Sequence, residues 1–432
     1  MFTRSEIRNP KRHGTQSVGR SGWYPYYAGF SLAFANDLLA STSLPKKAKV
    51  LDPWNGSGTI TEAAARIQRP VVGIDLNPAM VVVARGRALC QRELSSLCPL
   101  AHEIAEQART RDFNVNTESE PLSVWLTPAG ARAARSIERA IYRLLVDENA
   151  IHQFPSEHRG LDRFSDIACF FYVALFRAMR GLLGQFFSSN PTWVKRPKNK
   201  SDRLRLRSHT VFEKFESEVA AMVEVGNLEP FESDSPTEIR VDSSTKLPFA
   251  DDEFDLVVSS PPYCTRIDYA VATLIELAVL GFHPSSGIRP LRQSLLGTST
   301  IDRFAQETEL RFGKECDRFL SRLSSHPSKA STSYYLPNHQ QYFVGIRNSV
   351  AEISRVLKPG GGCVLVVQDS YYKNIHNDLA KIVSQMAKMD GLAIQRRDDF
   401  KLDRSMAGVN PRIRKYRTTS EACESVLCFQ KQ

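Results

Sequence analysis

Between Val50 and Pro78 the chain reads VLDPWNGSGTITEAAARIQRPVVGIDLNP, and the order of its apolar runs leaves few folds open. Val50 and Leu51 close a short apolar strand, a glycine-bearing turn follows, and Thr59–Ile67 carries a helical pattern. VVGID at 71–75 is a second short buried strand, with a helix starting near Pro78. Strand, turn, helix and strand in that order form a βαβ unit, so the sheet is parallel and both its faces need covering. The alternation then stops. Residues 97–235 read as helices, among them AGARAARSIERAIYRLLV after Thr127–Pro128, with Ile137, Ile141, Leu144 and Leu145 on one face. It resumes at IRVDSSTKLPFADDEFDLVVSSPPY, with Phe254–Val258 as a strong buried strand and IDYAVATLIELAVLGF as a helix. Residues 283–340 are irregular and polar. SVAEISRVLKPGGGCVLVVQDS gives a helix, a Pro-Gly turn and a strand, and ESVLCFQK at 424–431 a last strand. The expectation is an α/β fold, a doubly wound Rossmann-like sheet built from 23–96 and 236–432. It is interrupted by a helical insertion at 97–235 and a second, smaller one at 283–340. Residues 1–22 form a basic arm.

The first glycine turn constrains the ligand. DPWNGSGT at 52–59 sets Asp52 at a strand end, then Pro53, with Gly56 and Gly58 in the turn and Thr59 opening the helix. Ligands of open α/β sheets sit beyond the carboxyl ends of the strands, and glycines there let backbone approach closely. The spacing matches neither the phosphate-cradling GxxxxGK[ST] loop nor a full GxGxxG fingerprint. An acid at the front of the loop repels phosphate and suits a cationic group, such as the amino end of an aminocarboxylate. Asp75, ending the second strand, can accept from ribose hydroxyls. Asp242, after the third, can face the exocyclic amine of an adenine. Any one of these acids alone is better explained as a turn or helix-cap residue. Three at successive strand ends fit a nucleoside with a cationic amino-acid tail and no phosphate, which describes S-adenosylmethionine.

The second constraint is VVSSPPYC at 257–264. Two prolines fix φ and remove backbone donors, so a strand ending there becomes a stiff corner lined with carbonyls. Together with DPWNGSGT and GIDLNP, this corner resembles the S-adenosylmethionine-dependent DNA amino-methyltransferases that act on cytosine N4 or adenine N6 in restriction–modification systems. The resemblance covers about 20–85, 238–282 and 342–370. It implies a class I methyltransferase sheet, S-adenosylmethionine as cofactor and double-stranded DNA as substrate. A cognate restriction endonuclease would be the partner. In that family the corner is the catalytic loop, here Ser260, Pro261, Pro262 and Tyr263. WYPYYAGFS at 23–31 resembles the segment that closes the cofactor pocket, through Tyr26 and Phe30. An exocyclic amine is a poor nucleophile because its lone pair is delocalised into the ring. A pair of acceptors from Ser260 and the proline carbonyls favours a tetrahedral nitrogen, and Tyr263 would stack on a base flipped out of the duplex. Attack through cytosine C5 is excluded, because it needs a cysteine nucleophile in a Pro-Cys dipeptide and the chain has none. Within the family SPPY goes more often with cytosine N4 than with adenine N6, which places cytosine first. A guanine amine in RNA and a non-catalytic DNA-binding role are the other readings.

Lys+Arg of 57 against Asp+Glu of 47 gives a net charge of +10, in keeping with an anionic partner. WVKRPKNKSDRLRLR at 193–207 concentrates it in Lys195, Arg196, Lys198, Lys200, Arg203, Arg205 and Arg207, the candidate DNA contacts. Arg412, Arg414, Lys415 and Arg417, and Arg4, Arg8, Lys11 and Arg12, are further candidates. The eight cysteines show no CxxC pair and no zinc-finger spacing, so reduced thiols, a cytoplasmic setting and no metal are expected. The N-terminus lacks the apolar stretch of a secretory signal. The most apolar segment, 167–187, carries Arg177 and Arg180 in its middle, which argues for a buried helix over a membrane span.

Overall fold

In the computed structural model five parallel strands build the centre of one sheet: β1 (Val50–Asp52), β2 (Val71–Asp75), β3 (Thr237–Val241), β4 (Phe254–Ser259) and β5 (Leu357–Gln368). A small hairpin, β6 (Ser370–Tyr372) with β7 (Ile375–Asn377), follows, then β8 (Leu392–Leu402) and β9 (Ala422–Lys431). The sheet has seven strands in the order β3-β2-β1-β4-β5-β9-β8, and β9 runs against both its neighbours. The structure describes residues 6–11, 19–26, 29–147, 160–187, 193–265, 267–301, 311–402 and 422–432.

The apolar runs of the sequence become strands because alternate residues feed two separate cores. Val50, Leu256, Val258, Val364, Val366 and Val426 pack with Phe34 and Leu38 of α1 (Leu32–Ala40) and Ile60 of α2 (Thr59–Arg66) on one face. Leu51, Val257, Cys363, Leu365, Val367 and Leu427 point the other way. Each fully buried Val or Leu contributes roughly 1.5–3 kcal/mol. The sheet order reverses between β1 and β4, so the crevice for a ligand opens there, at the carboxyl ends of these strands.

After β2 comes α3 (Pro78–Arg87), and then the helical insertion. It consists of α4 (Leu94–Thr110), α5 (Pro128–Leu145), α6 (Asp166–Leu182) and α7 (Ser208–Leu228), and lies between β2 and β3. Helix α6 is buried almost all round by its Phe and Val residues, and it lies so close to α3 that a Cβ on Gly86 would reach 3.2 Å from the Phe170 nitrogen. Arg135 of α5 bolts the insertion to the sheet domain. Its guanidinium pairs with Glu120 and Glu138 and donates to the carbonyls of Val279 (2.7 Å) and Ala278 (2.9 Å). Among the described residues no helix is long and apolar enough to cross a membrane.

Four expectations need correction. The segment IDYAVATLIELAVLGF is two helices, α8 (Tyr269–Ala272) and α9 (Leu274–Val279). They are broken at Thr273, whose hydroxyl donates back to Tyr269 O and accepts from Asn77. The stretch 283–340 is largely helical, with α10 (Arg289–Ser294), α11 (Lys314–Ser324) and a π-turn at Ser331–Tyr335 leading into α12 (Leu336–Val356). Cys316, Phe319 and Leu323 of α11 enter the same core as α12 and α13 (Leu379–Met389), so this part is no separate appendage. The sequence from Tyr27 to Leu39 reads as helical, but the helix starts only at Leu32, where Ser31 caps the Phe34 amide. The described part of the 1–22 arm is packed rather than loose. Lys11 bridges to Phe30, Arg8 pairs with Asp37, and Arg20 is fully buried between Trp23 and Phe231. Arg4, Arg12 and the basic cluster at 412–417 lie outside the described residues.

Because Arg135 neutralises two buried glutamates, Arg135→Met is expected to lower the unfolding free energy by about 3–5 kcal/mol. Denaturant unfolding of the two proteins checks this, and a loss under 1 kcal/mol would contradict the bolting role.

Candidate active site

The crevice at the strand ends is a cavity of about 330 Å³. Tyr26, Phe30, Asp52, Pro53, Gly56, Thr59, Asp75, Asp242 and the whole Ser260–Tyr263 corner line it, so two sequence motifs far apart in the chain face one space. Gly58 does not line it. Its φ is +84°, and a Cβ there would lie 2.8 Å from that of Ala84, so Gly58 serves the seating of α2 against α3. Gly56 fits the proposed close approach, with φ +49° and space for a Cβ taken by the Tyr26 ring at 3.0 Å.

The two strand-end acids are held by the loop they organise. Asp52 is buried, and one oxygen accepts the Ser259 hydroxyl and the Trp54 amide (3.2 Å). Burial, with Asp75 nearby, pushes its carboxyl up to about 7. Asp75 accepts the amides of Gly56 and Asn77, both at 2.8 Å, and burial raises it to about 6. Two carboxyls raised toward neutrality by burial gain from a cationic ligand end that favours their ionised forms. Asp242 is more open. It accepts the Ser243 amide at 2.8 Å and lies 3.8 Å from the Arg240 guanidinium.

At the double-proline corner the hydrogen bonds sort the oxygens. The Ser260 hydroxyl lies 3.0 Å from Val366 O, to which it donates, and also interacts with the Tyr263 hydroxyl, so it can still accept from a donor in the cavity. Pro262 O already accepts the Tyr342 hydroxyl (2.8 Å), whereas Pro261 O accepts nothing among the described residues. Tyr263 donates to Glu424 Oε1 at 2.5 Å, from the start of β9. Burial, and then that carboxylate, push the Tyr263 hydroxyl well above its ordinary range, and burial also raises Glu424. Glu424 Oε2 is buried without a hydrogen-bond partner among the described residues.

Sequence reasoning missed Ser259, Tyr342 and Glu424, whose roles depend on which strands become neighbours. A charged residue opening the apolar run ESVLCFQK was the available signal for Glu424. It also missed Arg180 and Phe187, which bring the insertion to the cavity wall together with Tyr24 and, from the second insertion, Ser294, Leu295 and Leu296.

The basic run 193–207 lies outside the cavity, at its rim. Val194 pairs with Phe187 across an isolated bridge, and Leu204 with Leu126. Lys195, Arg196, Lys198, Lys200, Arg205 and Arg207 are exposed and Arg203 partly so. Among the described residues none of the seven has an acidic partner, and Arg196 instead donates to Pro284 O (2.6 Å).

If Glu424 anchors Tyr263, Glu424→Ala strands the phenol and costs about 1–3 kcal/mol, while Glu424→Gln recovers most of it. Equal losses in urea unfolding for both variants would show that the hydrogen bond contributes nothing.

No protein-family model matches the chain. Among curated proteins, the Type II methyltransferase M.AvaI of Nostoc sp. is 22% identical over 402 residues, 87% of this chain and 79% of its own. M.MvaI of Kocuria varians is 23% identical over 367 residues, 80% of this chain and 75% of its own. M.BsoBI of Geobacillus stearothermophilus is 24% identical over 304 residues, 67% and 58% of the two chains. All three carry the description Type II methyltransferase.

Proposed function

We propose that this chain, which belongs to the S-adenosylmethionine-dependent DNA methyltransferases of restriction–modification systems, methylates an exocyclic base amine in double-stranded DNA, cytosine N4 in first place. The single observation that carries the chemistry is the acceptor pair at the corner. Ser260 Oγ, which donates to Val366 O, and the Pro261 carbonyl, which accepts nothing among the described residues, belong to residues lining one cavity with Asp52 and Asp75. The donor set fits the cofactor. Gly56 lets the Tyr26 ring close against the loop, Asp52 suits an ammonium, and Asp75 and Asp242 suit hydroxyl and amine donors. When bound, S-adenosylmethionine supplies an electrophilic methyl group on a sulfonium.

The rest is done by the chain. Ser260 Oγ and Pro261 O each accept one hydrogen of the target amine. This draws the nitrogen toward tetrahedral geometry, frees its lone pair for in-line attack, and gives the departing proton a first acceptor. Tyr263, fixed at its hydroxyl by Glu424, offers its ring face to the extruded base. The prolines keep the oxygens in place without any donor of their own to compete. The exposed Lys195–Arg207 run at the rim neutralises backbone phosphates, which accounts for affinity but not for sequence choice. A cognate restriction endonuclease completes the proposed setting. Serine at position 260 favours cytosine N4 over adenine N6.

Ser260→Ala is expected to lower the methyl-transfer rate by about 10²–10³-fold, and Tyr263→Ala to do so comparably, with cofactor affinity within a factor of a few of the parent by calorimetry. Loss of cofactor binding in either variant would contradict the assigned roles. Nucleoside chromatography of DNA from cells expressing the protein is expected to show N4-methylcytosine. N6-methyladenine instead would move the substrate to adenine, and label entering only RNA would overturn the DNA assignment.

The carboxyls also set a pH dependence. Below about 6 both hold protons and present no charge, and they ionise as the pH passes about 6 and then about 7. Affinity for S-adenosylmethionine therefore climbs with rising pH across that window, by at most about tenfold per unit for each proton released. Above it the affinity levels. Calorimetry in buffers of different ionisation enthalpy checks both the slope and the proton release, and a flat profile would count against Asp52 as the ammonium partner.

A further inference from the structure

Helix α6 is apolar along most of its length, and a charged residue buried there is costly unless something holds it. Arg177 pairs with Glu218, donates to the carbonyls of Gly22 and Trp23, and does not line the cavity. Arg180, less than one turn further along, is placed differently. It lines the cavity, where among the described residues it is the only cationic side chain, and its guanidinium lies 5.6 Å from the Tyr24 ring centre and 4.5 Å from that of Phe187.

The way Arg180 is held argues against a purely structural ion pair. A structural pair spends the two-pronged face of the guanidinium on both carboxylate oxygens. Here one nitrogen, Nη1, does all the anchoring, to Glu276 Oε1 at 2.7 Å, Tyr24 Oη at 3.3 Å and Ala272 O at 3.4 Å. The second oxygen of the fully buried Glu276 has no partner, and Nε and Nη2 of Arg180 donate to nothing among the described residues. Glu276 thus anchors one arm of the fork, the Tyr24 and Phe187 rings flank it, and the residue lines a cavity whose other charged groups are the carboxylates of Asp52, Asp75 and Asp242. The molecule placed in that cavity under the function proposed above carries an oxyanion in either of two forms. The cofactor's amino-acid end has a carboxylate, and the flipped nucleotide brings its own phosphate. Phe187 joins the start of the basic run through its bridge to Val194, so Arg180 stands where the cavity meets the rim.

We propose that Arg180 is an oxyanion-binding residue supplied by the helical insertion to the cavity of the sheet domain, its Nε and Nη2 taking a carboxylate or phosphate oxygen of the bound reactants. This rests on the methyltransferase reading, and it makes the insertion a part of the binding site as well as a scaffold around it.

The test uses the full chain with Arg180→Gln, Arg180→Lys and the double variant Arg180→Met/Glu276→Met, which removes both buried charges together. Two affinities are measured: for S-adenosylmethionine against its decarboxylated analogue, and for a duplex containing the mapped methylation site against one with a methylphosphonate at the target nucleotide. If the carboxylate is the ligand, the parent protein prefers intact cofactor by at least about tenfold and the variants lose that preference, with Lys retaining part of it. If the phosphate is the ligand, the same pattern appears in the duplex pair. Either result supports the site and names its source. Variants that melt cooperatively and keep both preferences of the parent, or a parent that shows neither preference, would overturn it. Should the parent bind no S-adenosylmethionine and methylate no DNA, the function itself fails, separately from the role of Arg180.

Discussion

The structure turns on burying the parallel strands β1, β4 and β5 on both faces while leaving polar groups at their carboxyl ends. Val50 and Leu51, or Val257 and Val258, point in opposite directions into two cores, so those strands have no solvent side where chemistry could sit. Polar residues are confined to the tips. There Asp52 is held by Ser259 of the neighbouring strand and Asp75 by the amides of the loop it faces. Chemistry is concentrated at the reversal between β1 and β4 because the covered sheet has no other outlet.

Much of this was legible in the residues. Short apolar runs bounded by glycine and acids gave away β1, β2 and β4, because two-sided burial forbids polar interruptions. The glycine turn and the proline corner could be assigned to one cavity because open α/β sheets bind ligands at one end only. What stayed hidden depended on which strands become neighbours. Glu424 touches Tyr263 only because β9 enters between β5 and β8 in reverse, a placement no local pattern announces. Strand β8, with exposed Ile394 and the pairs Arg396–Asp398 and Arg397–Asp399, has the composition of a solvated edge and passes for loop. The helices of 283–340 were hidden by proline, serine and glycine near their ends, where propensity is weak and packing on α12 and α13 decides.

The insertion is easily mistaken for a separate lobe. Its own core is large and aromatic, yet two of its arginines reach outward to the sheet domain. Arg135 grips the carbonyls that end α9, and Arg177 grips the backbone at Gly22 and Trp23. In the chain one target follows the proline corner and the other precedes Tyr26, both of which line the cavity. Shape at the site is therefore set by two layers of the protein held in register by buried guanidinium groups.

Asp52 and Asp75 carry a last implication, for how such a chain can change over generations. A carboxyl whose proton is held to near pH 7 in the folded state, against about 4 in the unfolded chain, lowers the stability of the folded form at neutral pH. Asparagine at either position would relieve the penalty and keep much of the hydrogen bonding. Lineages drifting toward a tougher, heat-resistant fold would find these two replacements early, and each would trade away a carboxylate from the cavity wall.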